Sequence, residues 1–201
     1  MTEQQMEQLD EIYATLGRAV KLNKSLLLLS RIENGQYTEM EDVSVDEILD
    51  ELLPDLMDIY EHKQVRLIRK REEQPFIIRC NHSLAQILVS NLVKNSLLHN
   101  REEGELQVLT TPTSLVIKNT GDVPLDGEKL FRRFYHGMDG KKDSTGLGLA
   151  IARSIALSSS LKLTYEWQDV CIPSVWLKKV KFTVNCDCSQ IFPNSLPLFA
   201  V

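Results

Sequence analysis

The chain has 201 residues, 43% hydrophobic and 25% charged, with a formal net charge of -5 and a pI near 5.4. That length suits one domain with a real core plus a smaller element, and the composition is that of a soluble globular chain. The acidic balance argues against nucleic acid as a main partner, and the longest basic run, Arg69 to Arg71, runs straight into Glu72 and Glu73.

Apolar stretches such as Leu26 to Leu29 are far too short to span a bilayer, so any membrane association is expected through regions outside this sequence. Cys80, Cys171, Cys186 and Cys188 define no disulfide framework. No Cys or His follows the Cys186-x-Cys188 pair, which reads as free thiols on a terminal strand in a reducing compartment.

Residues 3 to 32 predict one long helix. With Leu9 at position a of a heptad, Leu9, Ile12, Tyr13, Leu16, Ala19, Val20, Leu26 and Leu27 fall at a, d and e, with Asn23 at an a position. A stripe that broad wants a partner. One arm of a dimerisation bundle is expected; the alternative is packing on its own domain. Asn34-Gly35 ends the helix, and a linker should follow.

Ser44 and Glu47 make a capping box for a second helix, with Ile48, Leu49, Leu52, Leu53 and Leu56 on its apolar side. Pro54 predicts a kink or an early end there. Val65 to Arg69 and Pro75 to Cys80 read as strands, and Asn81 as the N-cap of a strongly periodic helix over Leu84 to His99. Leu106 to Thr110 and Ser114 to Asn119 predict a hairpin around Thr111-Pro112-Thr113. A long polar loop follows, with a short helical run near Glu128 to Tyr135. A helix from Gly148 to about Ser158 and strands at Leu161 to Trp167 and Leu177 to Cys186 close the domain. Helices among antiparallel strands imply an α+β fold, a two-layer α/β sandwich preceded by a long N-terminal helix. Three parts are expected: 1–37, 38–189, and an apolar tail at 190–201 with Pro193 and Pro197.

The chemistry concentrates in a few places. Asn91, Asn95 and His99 recur at spacings of four and share a helix face. Two amides and an imidazole along an apolar helix are costly unless something satisfies them, so they form the wall of a polar pocket or cap neighbouring backbone. Gly146 and Gly148 open an apolar-periodic run. A helix beginning on glycines offers unpaired N–H groups with no side chain in the way of a phosphate. Between them and Phe134 lies a stretch of charged and small residues, Met138 to Thr145, suited to a mobile lid.

In order and spacing, these pieces resemble the ATP-binding domain of sensor histidine kinases, of the gyrase, chaperone and mismatch-repair ATPase superfamily. Asn91-Leu-Val-Lys-Asn95 resembles the asparagine motif, Asn119-Thr-Gly121 the first glycine motif, Leu130-Phe-Arg-Arg-Phe-Tyr135 the phenylalanine motif, and Asp143-Ser-Thr-Gly-Leu-Gly-Leu149 the second glycine motif. The resemblance implies ATP and Mg²⁺ as cofactors. It makes Asn95 the Mg²⁺ ligand, a suitable hard oxygen donor. Asn91 would line the phosphate side and His99 stands where the family has tyrosine or histidine. Ser144, Thr145 and the amides of Gly146, Leu147, Gly148 and Leu149 would cradle phosphate, Phe131 would anchor the lid, and Lys141 is a candidate phosphate contact. Asn119 and Gly121 would meet the adenine.

Three positions depart from the family pattern. Leu98 replaces the usual lysine, and Lys94, Lys141 or Lys142 are possible substitutes. Val123 replaces the second glycine of its motif. Asn119 replaces an acid that accepts a hydrogen bond from the amine of adenine; an amide can flip and donate to the carbonyl of guanine, so weaker base discrimination is expected.

Residues 3 to 37 resemble the second helix of the dimerisation and phosphotransfer domain. None of the histidines, His62, His82, His99 and His136, is followed by Glu or Asp. The chain thus reads as a piece lacking the phosphoacceptor histidine, binding ATP without phosphorylating itself. The implied partners are the phosphoacceptor helix of the same kinase, a response regulator and a second copy, at the cytoplasmic end of a membrane sensor. Two other readings stand beside this one: a degenerate, non-catalytic dimerising module, and a related ATPase. The second would need a glutamate where Asn91 stands, since an amide cannot take a proton from water.

Overall fold

A computed structural model describes residues 2–121, 126–127, 129–135, 145–172 and 175–186. The first helix, α1 (Glu3–Glu33), starts on a capping box. The Thr2 hydroxyl accepts from the Gln5 N–H, and the Gln5 side-chain oxygen accepts from the Thr2 N–H. It ends where Gly35, at φ +63°, turns the chain back. The N–H groups of Gly35 and Gln36 then close on the carbonyls of Ile32 and Arg31, both at 3.0 Å. Leu29 and Ile32 are buried where these last turns meet α4 (Gly148–Ser158), whereas Leu9, Ile12, Tyr13, Leu16, Val20, Leu26 and Leu27 are exposed. Packing on its own domain therefore holds for the last turns, and most of the expected stripe is uncovered in the monomer.

The expected linker contains a strand, β1 (Glu41–Ser44), antiparallel to β3 (Ile77–Cys80) with Val43 opposite Ile78. Four residues are too short to show a period; the pairing partner makes the strand. The next helix, α2 (Val45–Ile59), is capped by the Ser44 hydroxyl, which accepts from the Glu47 N–H at 3.3 Å. Pro54 does not end it. Loss of one helical hydrogen bond and a ring clash cost about 3 kcal/mol. Burial of Ile48, Leu49, Leu53 and Leu56 on both sides of the proline offsets that, at roughly 1.5–3 kcal/mol each.

Among the described residues a five-stranded sheet runs β2-β4-β5-β7-β6. Its members are β2 (Arg66–Arg71), β4 (Glu105–Thr111), β5 (Ser114–Thr120), β6 (Leu161–Ile172) and β7 (Val175–Cys186). The last two form a hairpin longer than the strands expected there. One pair departs from the antiparallel expectation: β2 and β4 are parallel. The connection between them carries α3 (His82–Leu98), and a helical crossover is what parallel neighbours need. Leu106, Val108, Leu115, Ile117, Phe182 and Val184 form the buried face of the sheet, and α3 and α4 pack together over it to make the second layer.

Residues 129–135 form turns and a bend instead of the expected short helix. Phe134 sits at φ +60°, a conformation that no right-handed helix accommodates. The 190–201 tail and the segment Met138 to Ser144 lie outside the described residues, as does Val123.

One polar knot ties the layers. Asp46, at the start of α2, is buried. Its carboxylate accepts from the Thr110 hydroxyl at 2.5 Å, from the Phe76 N–H at 2.9 Å, and from the Arg69 guanidinium. The strand β3 begins at Ile77 and not at Pro75: its partner β1 gives way to α2 at Val45, and the Phe76 amide goes to Asp46. Burial alone would raise the Asp46 pKa, but the bonds from Thr110, Phe76 and Arg69 outweigh it and hold the carboxyl below its ordinary value.

Candidate functional site

The helix carrying the asparagines starts where the Asn81 side chain accepts from the Leu84 N–H at 3.3 Å. Its apolar face, Leu84, Leu88, Leu92 and Leu97 among others, is buried. Asn91 and Asn95 are half-buried on its flank, and His99 is the C-cap, its N–H closing on the Asn95 carbonyl at 3.0 Å. The end of α3 is held by a residue the sequence did not single out. The Lys63 ammonium donates to the carbonyls of Leu97, Leu98 and Asn100 at 2.9, 2.6 and 3.0 Å. A cation on three carbonyls at a helix C-terminus is favoured by both the hydrogen bonds and the helix dipole. No local pattern announces it, because the partners lie more than thirty positions away along the chain.

The second element is the start of α4. Gly146 adopts φ +64°, Leu147 is the N-cap residue, and no side chain caps the first turn. The side chains of Leu147 and Leu149 are buried, so these residues have only backbone to offer a ligand. Gly148 faces Asn91: a Cβ added there would stand 3.2 Å from the Asn91 Oδ1. The structure thus brings the asparagine flank of α3 against the open first turn of α4. Thr145 is half-buried just upstream; Lys141 and Ser144 lie outside the described residues.

The third element is the end of β5. Asn119 continues the inward alternation of Leu115 and Ile117 and is 1% exposed. Its Nδ2 donates to the Thr120 carbonyl at 3.2 Å. Its Oδ1 has no hydrogen-bond partner among the described residues. A buried acceptor with nothing to accept from costs on the order of 1–3 kcal/mol, which a ligand donor would recover. Gly121, two positions on, is buried.

Beside the start of α4, the Arg153 guanidinium sits 5.7 Å from the centroid of the Phe131 ring, and the Phe134 N–H donates to the Gly146 carbonyl at 3.0 Å. Arg133 pairs with Glu33 at the end of α1. Neither Arg153 nor Glu33 was legible as a partner from sequence spacing. The Cys80 thiol is free and buried, which pushes its pKa up.

No family model matches the chain. Sequence relatives include the heme sensor protein HssS of Staphylococcus epidermidis, 28% identical over 158 residues, covering 73% of this chain and 33% of HssS. The sensor protein CutS of Streptomyces coelicolor is 32% identical over 155 residues, 72% of this chain and 37% of CutS. The chain therefore spans about a third of the length of these curated relatives. Among solved structures, a chain of the histidine kinase AdeS of Acinetobacter baumannii has the same fold, with a TM-score of 0.63 at 18% identity over 93% of this chain and 86% of that solved chain. This chain is a relative of the sensor histidine kinases and carries the fold of their catalytic domain.

Proposed function

We propose that this chain is the ATP-binding catalytic region of a sensor histidine kinase, delivering the γ-phosphoryl group of ATP to a histidine on another helix. In this reading residues 1–37 are the second helix of the dimerisation domain, 38–189 the ATP-binding domain and 190–201 a tail. The carrying observation is the buried, unpartnered Oδ1 of Asn119, an acceptor awaiting a donor such as the amine of adenine. The uncapped first turn of α4, with Asn91 beside it, supports a phosphate site on the helix side of the same sheet.

Bound ATP and Mg²⁺ would supply the phosphoryl group and the charge neutralisation. The chain's own residues bind and orient. Asn95 offers a neutral amide oxygen for the metal, the amides from Gly146 to Leu149 face phosphate, and Gly121 gives the base room. Thr145 and His99 border the site, Phe131 anchors the lid, and Lys141 and Ser144 are assigned to the phosphates by their place in the motifs. The implied partners are the phosphoacceptor helix of the same kinase, a response regulator and a second copy meeting the exposed stripe of α1, at the cytoplasmic end of a membrane sensor. Among the described residues no helix is long and apolar enough to cross a membrane. Asn91, which cannot act as a base toward water, argues against the ATPase reading.

Calorimetric titration with Mg²⁺-ATP should give saturable binding; its absence would favour the degenerate-module reading. Incubation with γ-labelled ATP should leave no acid-labile, base-stable label on this chain, because no histidine precedes an acid. A label mapped to His62, His82, His99 or His136 would sink the assignment of the phosphoacceptor to another segment.

The fixed amide of Asn119 revises one expectation. Flipping it would set its oxygen against the Thr120 carbonyl, acceptor facing acceptor, so the tolerance of GTP expected from a freely turning amide loses its basis. Asn119→Leu, similar in volume but without the acceptor, should weaken ATP binding about tenfold, the scale of one neutral hydrogen bond of ~1.4 kcal/mol. Inorganic pyrophosphate binding should be unaffected. Equal ATP affinity in parent and variant would remove Asn119 from the base subsite.

A further inference from the structure

A groove of about 460 Å³ runs between α2 and α3. Ile48, Leu52 and Ile87 form its apolar walls; Glu51 and Asp55 line the α2 side, and Asn91 and Lys94 the α3 side. Asn91 is the link, because its amide also faces Gly148 in the first turn of α4. The groove therefore opens beside the proposed phosphate cradle. That cradle is made of backbone amides and neutral side chains, yet a nucleotide triphosphate brings several negative charges. Mg²⁺ would offset part of that charge, and a cation of the chain can meet the rest.

The described cations nearby can be sorted. Lys63 is committed to three carbonyls at the far end of α3. Arg153 lies over Phe131, Arg133 pairs with Glu33, and Arg132, exposed on the turns beside it, does not line the groove. Lys94 is different. It lies three positions after Asn91, so both lie on neighbouring rows of one helix face and line one groove. It is exposed, and among the described residues no ion pair or hydrogen bond of its side chain occurs, although Glu51 and Asp55 stand across the groove. A lysine stem spans about one helical turn, the axial distance back to Asn91, whose amide meets the first turn of α4.

We infer that Lys94 is a cationic phosphate contact of this site, reaching over Asn91 to the phosphate chain held at the start of α4. This rests on the nucleotide-binding reading above. The contact is a mobile point charge and not a bidentate fork, so arginine should replace it in part and a neutral residue should not.

The test uses the whole chain and three probes: Mg²⁺-ATP, Mg²⁺-ADP and adenosine. Lys94→Met should weaken ATP and ADP binding about tenfold or more and leave adenosine binding unchanged. Lys94→Arg should restore at least half of the lost affinity on a logarithmic scale. A residue that merely held α3 in place would move adenosine as well, and that outcome overturns the proposal. So does a Lys94→Met variant that binds ATP as the parent does; Lys94 then only balances Glu51 and Asp55. Failure of the parent chain to bind any of the nucleotides is a separate result, which removes the nucleotide site itself.

Discussion

Asp46→Ala is expected to destabilise the fold by about 3 kcal/mol, the scale for stripping one partner from a buried charge pair. The loss has named parts. Arg69 keeps a mostly buried guanidinium without its carboxylate, while the Phe76 N–H and the Thr110 hydroxyl lose their acceptor. Three elements, α2, β2 and β4, meet at this point, as does the entry to β3. The pH dependence has a definite sign. The Asp46 carboxyl is held below its ordinary pKa in the folded state, so the unfolded chain takes the proton first. Its stabilisation is complete above the ordinary aspartate range near 4 and fades as pH falls through the lower folded value. Denaturant unfolding of parent and variant should show a gap that is constant at neutral pH and closes in acid. A gap that persists unchanged below the carboxylate range would mean that shape, not charge, is what Asp46 supplies.

Asn95→Ala is expected to abolish Mg²⁺-dependent nucleotide binding while leaving the thermal midpoint nearly unchanged. The side chain is only half-buried on the flank of α3, and the core face of that helix is carried by Leu84, Leu88, Leu92 and Leu97. A surface amide removed from such a flank costs little in stability, typically within about 0.5 kcal/mol. The loss in binding should be large because a hard cation bound by few protein ligands has no substitute donor. Titration with ATP in Mg²⁺ and in excess chelator separates the two effects. If the variant keeps the parent's Mg²⁺-dependent gain in affinity, the metal belongs elsewhere.

The elements legible in the sequence were those whose signal is local. The α3 helix announced itself by a period of apolar residues and the Asn81 cap, and α1 by its heptad stripe and the Asn34-Gly35 stop. The β4–β5 hairpin was visible as two apolar runs around a Pro-containing turn. What failed were cases where a partner distant in sequence overrode the local signal. The β1 strand exists because β3 lies beside it. Pro54 is carried through α2 by burial on both sides. Phe134 broke the expected short helix by a backbone turn that no apolar spacing records.

The site divides in the same way. The sequence by itself determined its donors: two asparagines a helical turn apart, a glycine-opened helix and a strand ending on an amide. These follow from spacing on a helix or strand, which short-range geometry fixes. Only the tertiary structure decided how the donors are oriented and which cations are available. Gly148 allows Asn91 to approach α4, and three carbonyls at the end of α3 hold Lys63. Lys94 is left facing the groove without a partner among the described residues. Those outcomes depend on which buried polar groups find one another when the layers close, and chain spacing carries no record of that choice.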